Sequence, residues 1–247
     1  MEDRPMYQES FIDIADERPR RRPWAGSVSL LFCGLLLWGA SPPLAAEEPE
    51  FVVREIGEID EYSYSVTDIN EAGQVVGYYR TGDFSPEANV VARSFVWLPS
   101  PAYGLPAGLS DLGTLRSHPL ASSRGYAISD NGQVVGSSEI DLFSPWEEPY
   151  LAAFSWRDGL MTEIAFPDDR PPYNSGDAVN TDGQIAATVG FGFTCEAYIW
   201  LPEPAYGMEA GAHWLPTLPG LSESIAAGIN AHGQVAGTSR QACDVAG

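Results

Sequence analysis

A short motif recurs four times along the chain and constrains its fold more than any other feature. Each copy has a branched aliphatic residue, a short polar stretch and then Gly-Gln, with the glycines at Gly73, Gly132, Gly183 and Gly233. These glycines lie 59, 51 and 50 residues apart, which is the size of a four-stranded unit and too long for one coil of a solenoid. The sequence therefore predicts a repeat protein. We number the expected repeats 1 to 4, at about residues 62–115, 122–166, 174–218 and 224–247.

The second repeat shows how one unit is expected to fold. Short apolar runs separated by turn residues lie at residues 126–129, 133–138, 151–156 and 161–166. Four such strands joined by turns make one antiparallel meander. The Asp-Asn pair before Gly132 favours a hairpin in which glycine takes a positive φ without strain at Cβ. The equivalent glycines of the other repeats are predicted to play the same structural role.

A second correspondence supports this register. Residues 97–108 and 200–211 match at nine of twelve positions, and both begin with Trp-Leu-Pro. Trp156 holds the equivalent place in repeat 2. The Pro-rich stretches are predicted to lengthen the connection between strands three and four in repeats 1 and 3. We interpret the tryptophans, and the aromatic residue two positions before each, as core packing between repeats.

The predicted fold class is all-β, a β-propeller-like array of four-stranded antiparallel blades. No helical periodicity of any length follows Ala46, and a sheet that is half apolar on both faces must stack on its neighbours. Residues 51–57 look like a fourth strand, and repeat 4 supplies only strands one and two before Gly247. The array is expected to be incomplete at its C-terminus. Either the N-terminal strand closes a four-bladed ring, or the ring is larger and the chain is a fragment.

The N-terminal segment predicts export. Arginines at positions 18 and 20–22 precede an apolar run at residues 28–40, and small residues follow up to Ala46. This order is typical of a secretory signal peptide, expected in residues 1–46, with an uncleaved anchor as the alternative. The apolar run is shorter than the roughly 20 residues that span a membrane. We expect a secreted, periplasmic or cell-surface protein with no stable membrane insertion after signal cleavage.

The charge of residues 47–247 excludes one class of partner. This segment has 8 arginines, no lysine and 28 acidic residues, a net charge of −20. Because affinity for nucleic acid rests on Lys and Arg neutralising phosphates, nucleic-acid binding is excluded. The charge keeps an exported protein soluble, and it also suits a cationic or calcium-bearing partner.

Constellations for catalysis are mostly missing from the sequence. The histidines, His118, His213 and His232, fit no zinc motif, and no Gly-x-Ser-x-Gly elbow is present. No catalytic residue, metal ligand or cofactor is assigned. Calcium binding at the Asp/Asn-rich turns is an alternative, although no repeat has the complete set of alternating acidic residues that a calcium-binding loop uses. Cys195 and Cys243 lie in comparable loops of neighbouring repeats, and whether they form a disulfide is left open.

One feature predicts binding. The connection between strands two and three is long in repeats 1 and 2, and both copies carry Phe and Ser-Pro beside acidic residues. Loops on a rigid scaffold are where proteins usually hold ligands. The candidate binding residues are aromatic: Phe84, Phe143, Trp146 and Tyr150. The alternative is that these side chains fold back as hydrophobic lids on the blades.

The repeated Asn/Asp-x-Gly-Gln-Val-Val-Gly element, followed by an aromatic-x-Trp strand as in Phe154-Ser-Trp156, resembles the bacterial extracellular repeats of the HAF family. The resemblance covers roughly residues 51–247. The family's His-Ala-Phe tripeptide reads here as residues 93–95, 152–154 and 196–198, which keep the aromatic residue and lack the His. The resemblance implies a secreted, β-propeller-like repeat domain of unassigned activity, and it supplies no catalytic residues.

The sequence thus favours an exported, non-catalytic repeat domain for binding or surface interaction. It does not identify the ligand; a polysaccharide and another surface protein are the candidates. One alternative is a propeller enzyme that acts on polysaccharide through Asp and Glu side chains. Another is a calcium-stabilised structural spacer.

Overall fold

The computed structural model describes residues 12–13, 52–53, 56, 63–81, 91–140, 150–167, 173–191 and 194–241. All regular secondary structure in these segments is β-strand, so the predicted all-β class is confirmed. Within the same segments, no helix is long and apolar enough to cross a membrane. The chain divides into two compact units, at residues 1–56 and 57–247.

The first compact unit contains two short strands, β1 (Ile12–Asp13) and β2 (Val52–Val53). They pair in antiparallel fashion, with Ile12 opposite Val53. The fourth strand expected at residues 51–57 therefore has β1 as its described partner. Apart from Ile12–Asp13, the predicted signal peptide lies outside the described residues.

The second compact unit holds the repeats. Repeats 1 to 3 each form the predicted four-stranded meander, and repeat 4 contributes a two-stranded hairpin. The strands of repeats 1 and 2 are β3 (Ser63–Ile69), β4 (Val75–Thr81), β5 (Val91–Leu98), β6 (Gly108–Gly113), β7 (Ser123–Ile128), β8 (Val134–Glu139), β9 (Leu151–Arg157) and β10 (Leu160–Glu163). Those of repeats 3 and 4 are β11 (Tyr173–Val179), β12 (Ile185–Phe191), β13 (Thr194–Leu201), β14 (Gly211–Trp214), β15 (Glu223–Ile229) and β16 (Val235–Arg240).

The strand boundaries of repeat 2 differ from the predicted ones by one residue at most positions and by three at two of them. In repeat 2 the first strand begins at Ser123, three residues before the predicted start, and the fourth ends at Glu163 rather than at residue 166. The first strand is longer because its beginning packs on the preceding repeat, which the sequence of one repeat cannot show. The Pro-rich stretches do lengthen the connection between strands three and four, as predicted: β5 and β6 are separated by residues 99–107, and β13 and β14 by residues 202–210.

Every first strand carries a β-bulge at the same place, two residues before its end. The extra residue lies between Val66 and Asp68 in repeat 1 and at the equivalent positions of the other repeats. A bulge re-aims the unpaired side chain and increases the local twist. The residues placed there are Thr67, Tyr126, Asp177 and Ala227.

The apolar core lies between successive repeats. The first strand of each repeat packs on the sheet of the repeat before it, β7 on repeat 1, β11 on repeat 2 and β15 on repeat 3. Three buried clusters fill these junctions, and the large buried side chains include Phe95, Phe154, Trp156 and Tyr198. The interpretation of these aromatic residues as packing between repeats is confirmed, although Trp97 and Trp200 are only half-buried.

The strands form a four-stranded sheet, an eight-stranded sheet and a hairpin. Repeats 2 and 3 share one sheet because Tyr173 pairs in parallel with Leu151, at the start of their respective strands. Among the described residues these sheets do not close into a barrel or a ring. The structure thus establishes the antiparallel four-stranded units and their packing on one another, but not their closure into a propeller.

Candidate functional site

The corner between strands one and two is organised by a single asparagine. In repeat 1, Asn70 Oδ1 accepts hydrogen bonds from the backbone N–H groups of Ala72 and Gln74 at 3.1 and 3.0 Å. Its Nδ2 donates to Gln74 Oε1 at 2.7 Å and to the carbonyl of Ser129 in repeat 2 at 3.0 Å. One buried side chain thus closes its own turn and binds the next repeat.

The same arrangement recurs in repeat 3. Asn180 Nδ2 donates to Gln184 Oε1 at 2.8 Å and to the carbonyl of Asn230 in repeat 4 at 2.9 Å. Repeat 2 has Ser129 at this position, whose Oγ accepts the N–H of Gln133 at 3.1 Å. The bond to the following repeat comes there from Asn131 Nδ2, which donates to the carbonyl of Thr181 at 2.7 Å. The Gly-Gln motif therefore links neighbouring repeats, whereas the sequence predicted only its role in the turn.

The predicted turn glycines are confirmed, since all four have positive φ: Gly73 (68°), Gly132 (81°), Gly183 (77°) and Gly233 (73°). Two of them serve a second purpose. A Cβ on Gly132 would lie 2.6 Å from Cε2 of Tyr103, and one on Gly233 would lie 2.7 Å from Cε2 of Tyr206. Each tyrosine belongs to the Pro-rich connection of the preceding repeat and covers the corner of the next.

These tyrosines also bond to the corner that precedes them. The hydroxyl of Tyr103 donates to Gln74 Oε1 at 3.1 Å, and that of Tyr206 donates to Gln184 Oε1 at 2.9 Å. Both residues adopt left-handed φ angles, 55° and 56°, a conformation that non-glycine residues hold only where their surroundings fix it. The duplicated Pro-Ala-Tyr-Gly sequence was the available signal, but the sequence did not show where the tyrosine would pack.

The candidate binding aromatics lie on the loops between strands two and three. Phe84, Phe143 and Trp146 fall outside the described residues. Tyr150 is described: it is half-buried, and its carbonyl accepts the N–H of Ile140 at 3.0 Å at the base of its loop. The structure thus locates where the loop of repeat 2 begins and ends.

Ser122 connects the bases of the two long loops. Its Oγ accepts the N–H of Ala92, in β5 just after the first loop, at 3.3 Å. Its own N–H donates at 2.9 Å to Oε2 of Glu139, the last residue before the second loop's base. Arg116 Nε donates to the carbonyl of Ile140 at 3.2 Å in the same region. Both loops therefore leave the stacked sheets at one edge.

A half-buried carboxylate lies on the first strand of repeat 3. Asp177 occupies the bulge, and its Oδ1 and Oδ2 accept hydrogen bonds from the hydroxyls of Ser175 at 2.6 Å and Thr188 at 2.5 Å. Thr188 Oγ1 in turn accepts the N–H of Ala226 in repeat 4 at 3.0 Å. Burial raises the pKa of Asp177 to about 6, and the two hydroxyl bonds oppose that rise. No signal in the sequence separated this carboxylate from the many others.

Polar groups gather where repeat 4 meets repeat 3. Glu223 is 1% exposed, and its Oε2 accepts from Arg240 Nε at 2.5 Å. Its Oε1 has no hydrogen-bond partner among the described residues. Burial, and secondly the nearby Glu223 carboxylate, raise the pKa of the Cys195 thiol. Cys195 is a free thiol, and Cys243 lies outside the described residues. The thiol is thus held protonated, which lowers its reactivity.

Several other potentially reactive side chains make hydrogen bonds within the fold. The hydroxyl of Tyr79 donates to Asp111 Oδ2 at 2.6 Å, and burial followed by this bond raises the Tyr79 pKa. His118 Nδ1 accepts the N–H of Leu120 at 3.1 Å, and His213 Nε2 contacts the carbonyl of Glu209 at 2.8 Å. In the described part of the chain, no group of three or more His, Cys, Asp or Glu side chains could hold a metal ion.

Comparison with known proteins finds no relative. No family model matches the chain, and no curated protein or solved structure matches it. The chemistry of the site must therefore be inferred from the chain's own geometry. That geometry offers a rigid stack with two loops at one edge, and hydrogen-bonded corners that join one repeat to the next.

Proposed function

We propose that this chain is an exported, non-catalytic repeat domain that binds a polysaccharide or another surface protein through the loops between strands two and three. The observation that carries the proposal is the linkage at Ser122, which brings the bases of both long loops to one edge. A rigid stack that presents adjacent loops is suited to an extended ligand. The predicted aromatic residues Phe84, Phe143 and Trp146 belong to these loops.

The architecture supports the wider assignment. Each first strand packs on the sheet of the preceding repeat, and four-stranded units that pack on their neighbours are the building blocks of a propeller. We therefore propose a β-propeller-like array of the HAF type, exported after removal of residues 1–46. N-terminal sequencing of exported material tests the export, and a start at Met1 in that material would contradict it.

The binding proposal is tested with purified protein against a panel of glycan polymers and surface proteins. We expect saturable binding without turnover, lost in the Phe143→Ala/Trp146→Ala double variant. Leu160→Ala is the matched control, because Leu160 is 65% exposed on the outer strand β10, away from both loops. Equal binding by the double variant and the control would reject these loops as the binding site.

The enzyme alternative has one observation in its favour. Asp177 is a half-buried carboxyl whose pKa is raised to about 6 by desolvation, and general acids of glycoside hydrolases also have a raised pKa. Turnover of a glycan that is abolished in Asp177→Asn would favour this alternative over the binding module. The calcium-stabilised spacer would instead show a melting temperature that rises with added Ca²⁺.

A further inference from the structure

The three junctions inside the chain are built from the same two halves. The donor half is the second strand and corner of one repeat, and the acceptor half is the first strand and corner of the next. On the donor side, Val76, Val135 and Ala186 are equivalent and 0% exposed. A Cβ on Gly125 would lie 2.7 Å from Val76 Cγ2, and one on Gly176 would lie 3.0 Å from Val135 Cβ. The donor side chain thus contacts the first strand of the following repeat.

Repeat 4 presents a donor half that no described residue covers. Ala236 is equivalent to the three buried donor side chains, yet it is exposed. Asn230 closes its own turn like Asn70 and Asn180, with Nδ2 donating to Gln234 Oε1 at 2.8 Å. The second bond that Asn70 and Asn180 make, to the corner carbonyl of the next repeat, has no counterpart at Asn230 among the described residues.

Repeat 1 presents the matching acceptor half. Ile69 is 52% exposed, whereas its equivalent Ile128 is 6% exposed. The carbonyl of Asn70 accepts the N–H of Gly73, and in the described chain it receives no bond from a preceding corner. Gly73 has nothing within 4 Å of a Cβ position, whereas its equivalent Gly132 is covered by a tyrosine ring.

We propose that these halves meet between two copies of the chain, so that repeat 4 of one copy packs on repeat 1 of the next. Within one copy, no described hydrogen bond or buried cluster joins repeat 4 to repeat 1. The junction pairs Ala236 with the first strand of the second copy, and Asn230 Nδ2 with the Asn70 carbonyl. Because different surfaces meet, the contact is heterologous and builds a closed ring or an open chain of copies.

The charge of the chain gives this assembly a recognisable salt dependence. The net charge is −21, so two copies repel each other at low ionic strength. The contact itself is apolar and hydrogen-bonded, and salt screens the repulsion without breaking it. Association therefore strengthens as salt is added, opposite to an assembly held by ion pairs.

Sedimentation velocity of the purified chain over a hundredfold concentration range tests the proposal. We expect the wild-type chain to shift from monomer to larger species, and to do so at lower concentration in high salt. Ile69→Lys disables the acceptor half, and Ala236→Arg disables the donor half. Each variant alone is expected to stay monomeric. Leu160→Lys, on an exposed residue outside both halves, is the matched control and associates like wild type.

Mixing the two disabled variants is the decisive measurement. Each retains one intact half, so an equimolar mixture forms a dimer and nothing larger. Unchanged circular dichroism spectra and melting temperatures at low concentration show that both variants fold; if Ala236→Arg does not, Asn230→Asp replaces it. A wild-type chain that stays monomeric throughout, or a mixture of folded variants that forms no dimer, overturns the proposal. If the wild-type chain stays monomeric and Ile69→Lys lowers the melting temperature, the acceptor half makes its contact within one copy, and the proposal is likewise overturned.

Discussion

At the scale of single residues, equivalent glycines of the repeat are needed for different reasons. Gly73 and Gly132 share a positive φ, at 68° and 81°, which costs any other residue roughly 1–2 kcal/mol. Only Gly132 also lies under a tyrosine ring, that of Tyr103. The same motif thus meets only a backbone requirement at Gly73, whereas at Gly132 it also meets a packing requirement.

We predict that Gly132→Ala destabilises the fold by about 2–4 kcal/mol and Gly73→Ala by about 1–2 kcal/mol, since only the former adds a steric clash to the φ strain. Gly132→Val is expected to cost at least as much as the alanine variant. Denaturant titration gives each free energy of unfolding. In the Tyr103→Ala background, the clash is gone and the cost of Gly132→Ala should fall to that of Gly73→Ala. A cost unchanged by Tyr103→Ala would mean that the ring does not press on the corner.

Asp177 gives the fold a pH dependence of known sign. Its folded pKa of about 6 lies above the value of 3.8 for an unperturbed Asp. The folded state therefore binds a proton that the unfolded state has released. The resulting stabilisation is fully present below about pH 4 and is lost as the pH rises through about 6.

We predict that Asp177→Asn removes this dependence. Two pKa units correspond to about 3 kcal/mol at most, so the stability of wild type relative to Asp177→Asn should fall by up to that amount between pH 4 and pH 7. Urea titrations of both proteins across this range give the difference, and the exposed Asp158→Asn variant is the control. A difference that stays flat with pH would show that Asp177 is not desolvated.

At the scale of elements, the asparagine of the corner hairpin can both close its own turn and bond the following repeat. Mutations at different corners distinguish these two roles. Asn180 and Asn230 close equivalent turns, but among the described residues only Asn180 of these two also bonds the following repeat, at 2.9 Å. Asn180 is 6% exposed, and Asn230 is exposed. Removing a buried bonded group leaves its partners unpaired, whereas partners of an exposed group regain water.

We therefore predict that Asn180→Ala costs about 2–3 kcal/mol and Asn230→Ala about 1 kcal/mol or less. Both are measured by chemical unfolding at a protein concentration where only monomer is present, so that contacts between copies do not enter. Equal costs would mean that the bond from Asn180 to the carbonyl of Asn230 adds nothing to the junction between repeats.

The hairpins were predictable from sequence because their causes are local. Alternating apolar residues and an Asn/Asp-rich approach to glycine define each turn, and these signals recur four times. The junctions were not predictable, because their partners lie far apart in the sequence. Thr67 Oγ1 donates at 2.9 Å to the carbonyl of Gly125, 58 residues away, and Ser123 Oγ contacts Ser94 Oγ, 29 residues away. For the candidate site, the repeat pattern predicted where the two long loops lie in the sequence. It did not predict the hydrogen bonds of Ser122, because these form only when repeats 1 and 2 stack.

At the scale of the whole molecule, each of repeats 2 to 4 packs on the repeat before it, so the described repeats stack in sequence order. In such stacks stability is approximately a sum of repeat and junction contributions. Repeats 2 and 3 each contribute to two junctions, whereas repeat 4 contributes to one among the described residues. The burial of the second strands agrees with this difference. In repeat 2, β8 is buried along almost its whole length, whereas in repeat 4, β16 is mostly exposed.

We predict that backbone amides in residues 225–239 exchange hydrogen faster than the equivalent residues 125–138. Local opening costs less free energy where a strand has few buried contacts and an uncovered edge. Hydrogen exchange followed by mass spectrometry measures both segments in one sample. Raising the protein concentration should slow exchange in residues 225–239 and leave residues 125–138 unchanged, because the proposed contact between copies covers parts of repeats 4 and 1 and none of repeat 2. Equal protection of the two segments in dilute protein would contradict an open end and favour a ring closed within one chain.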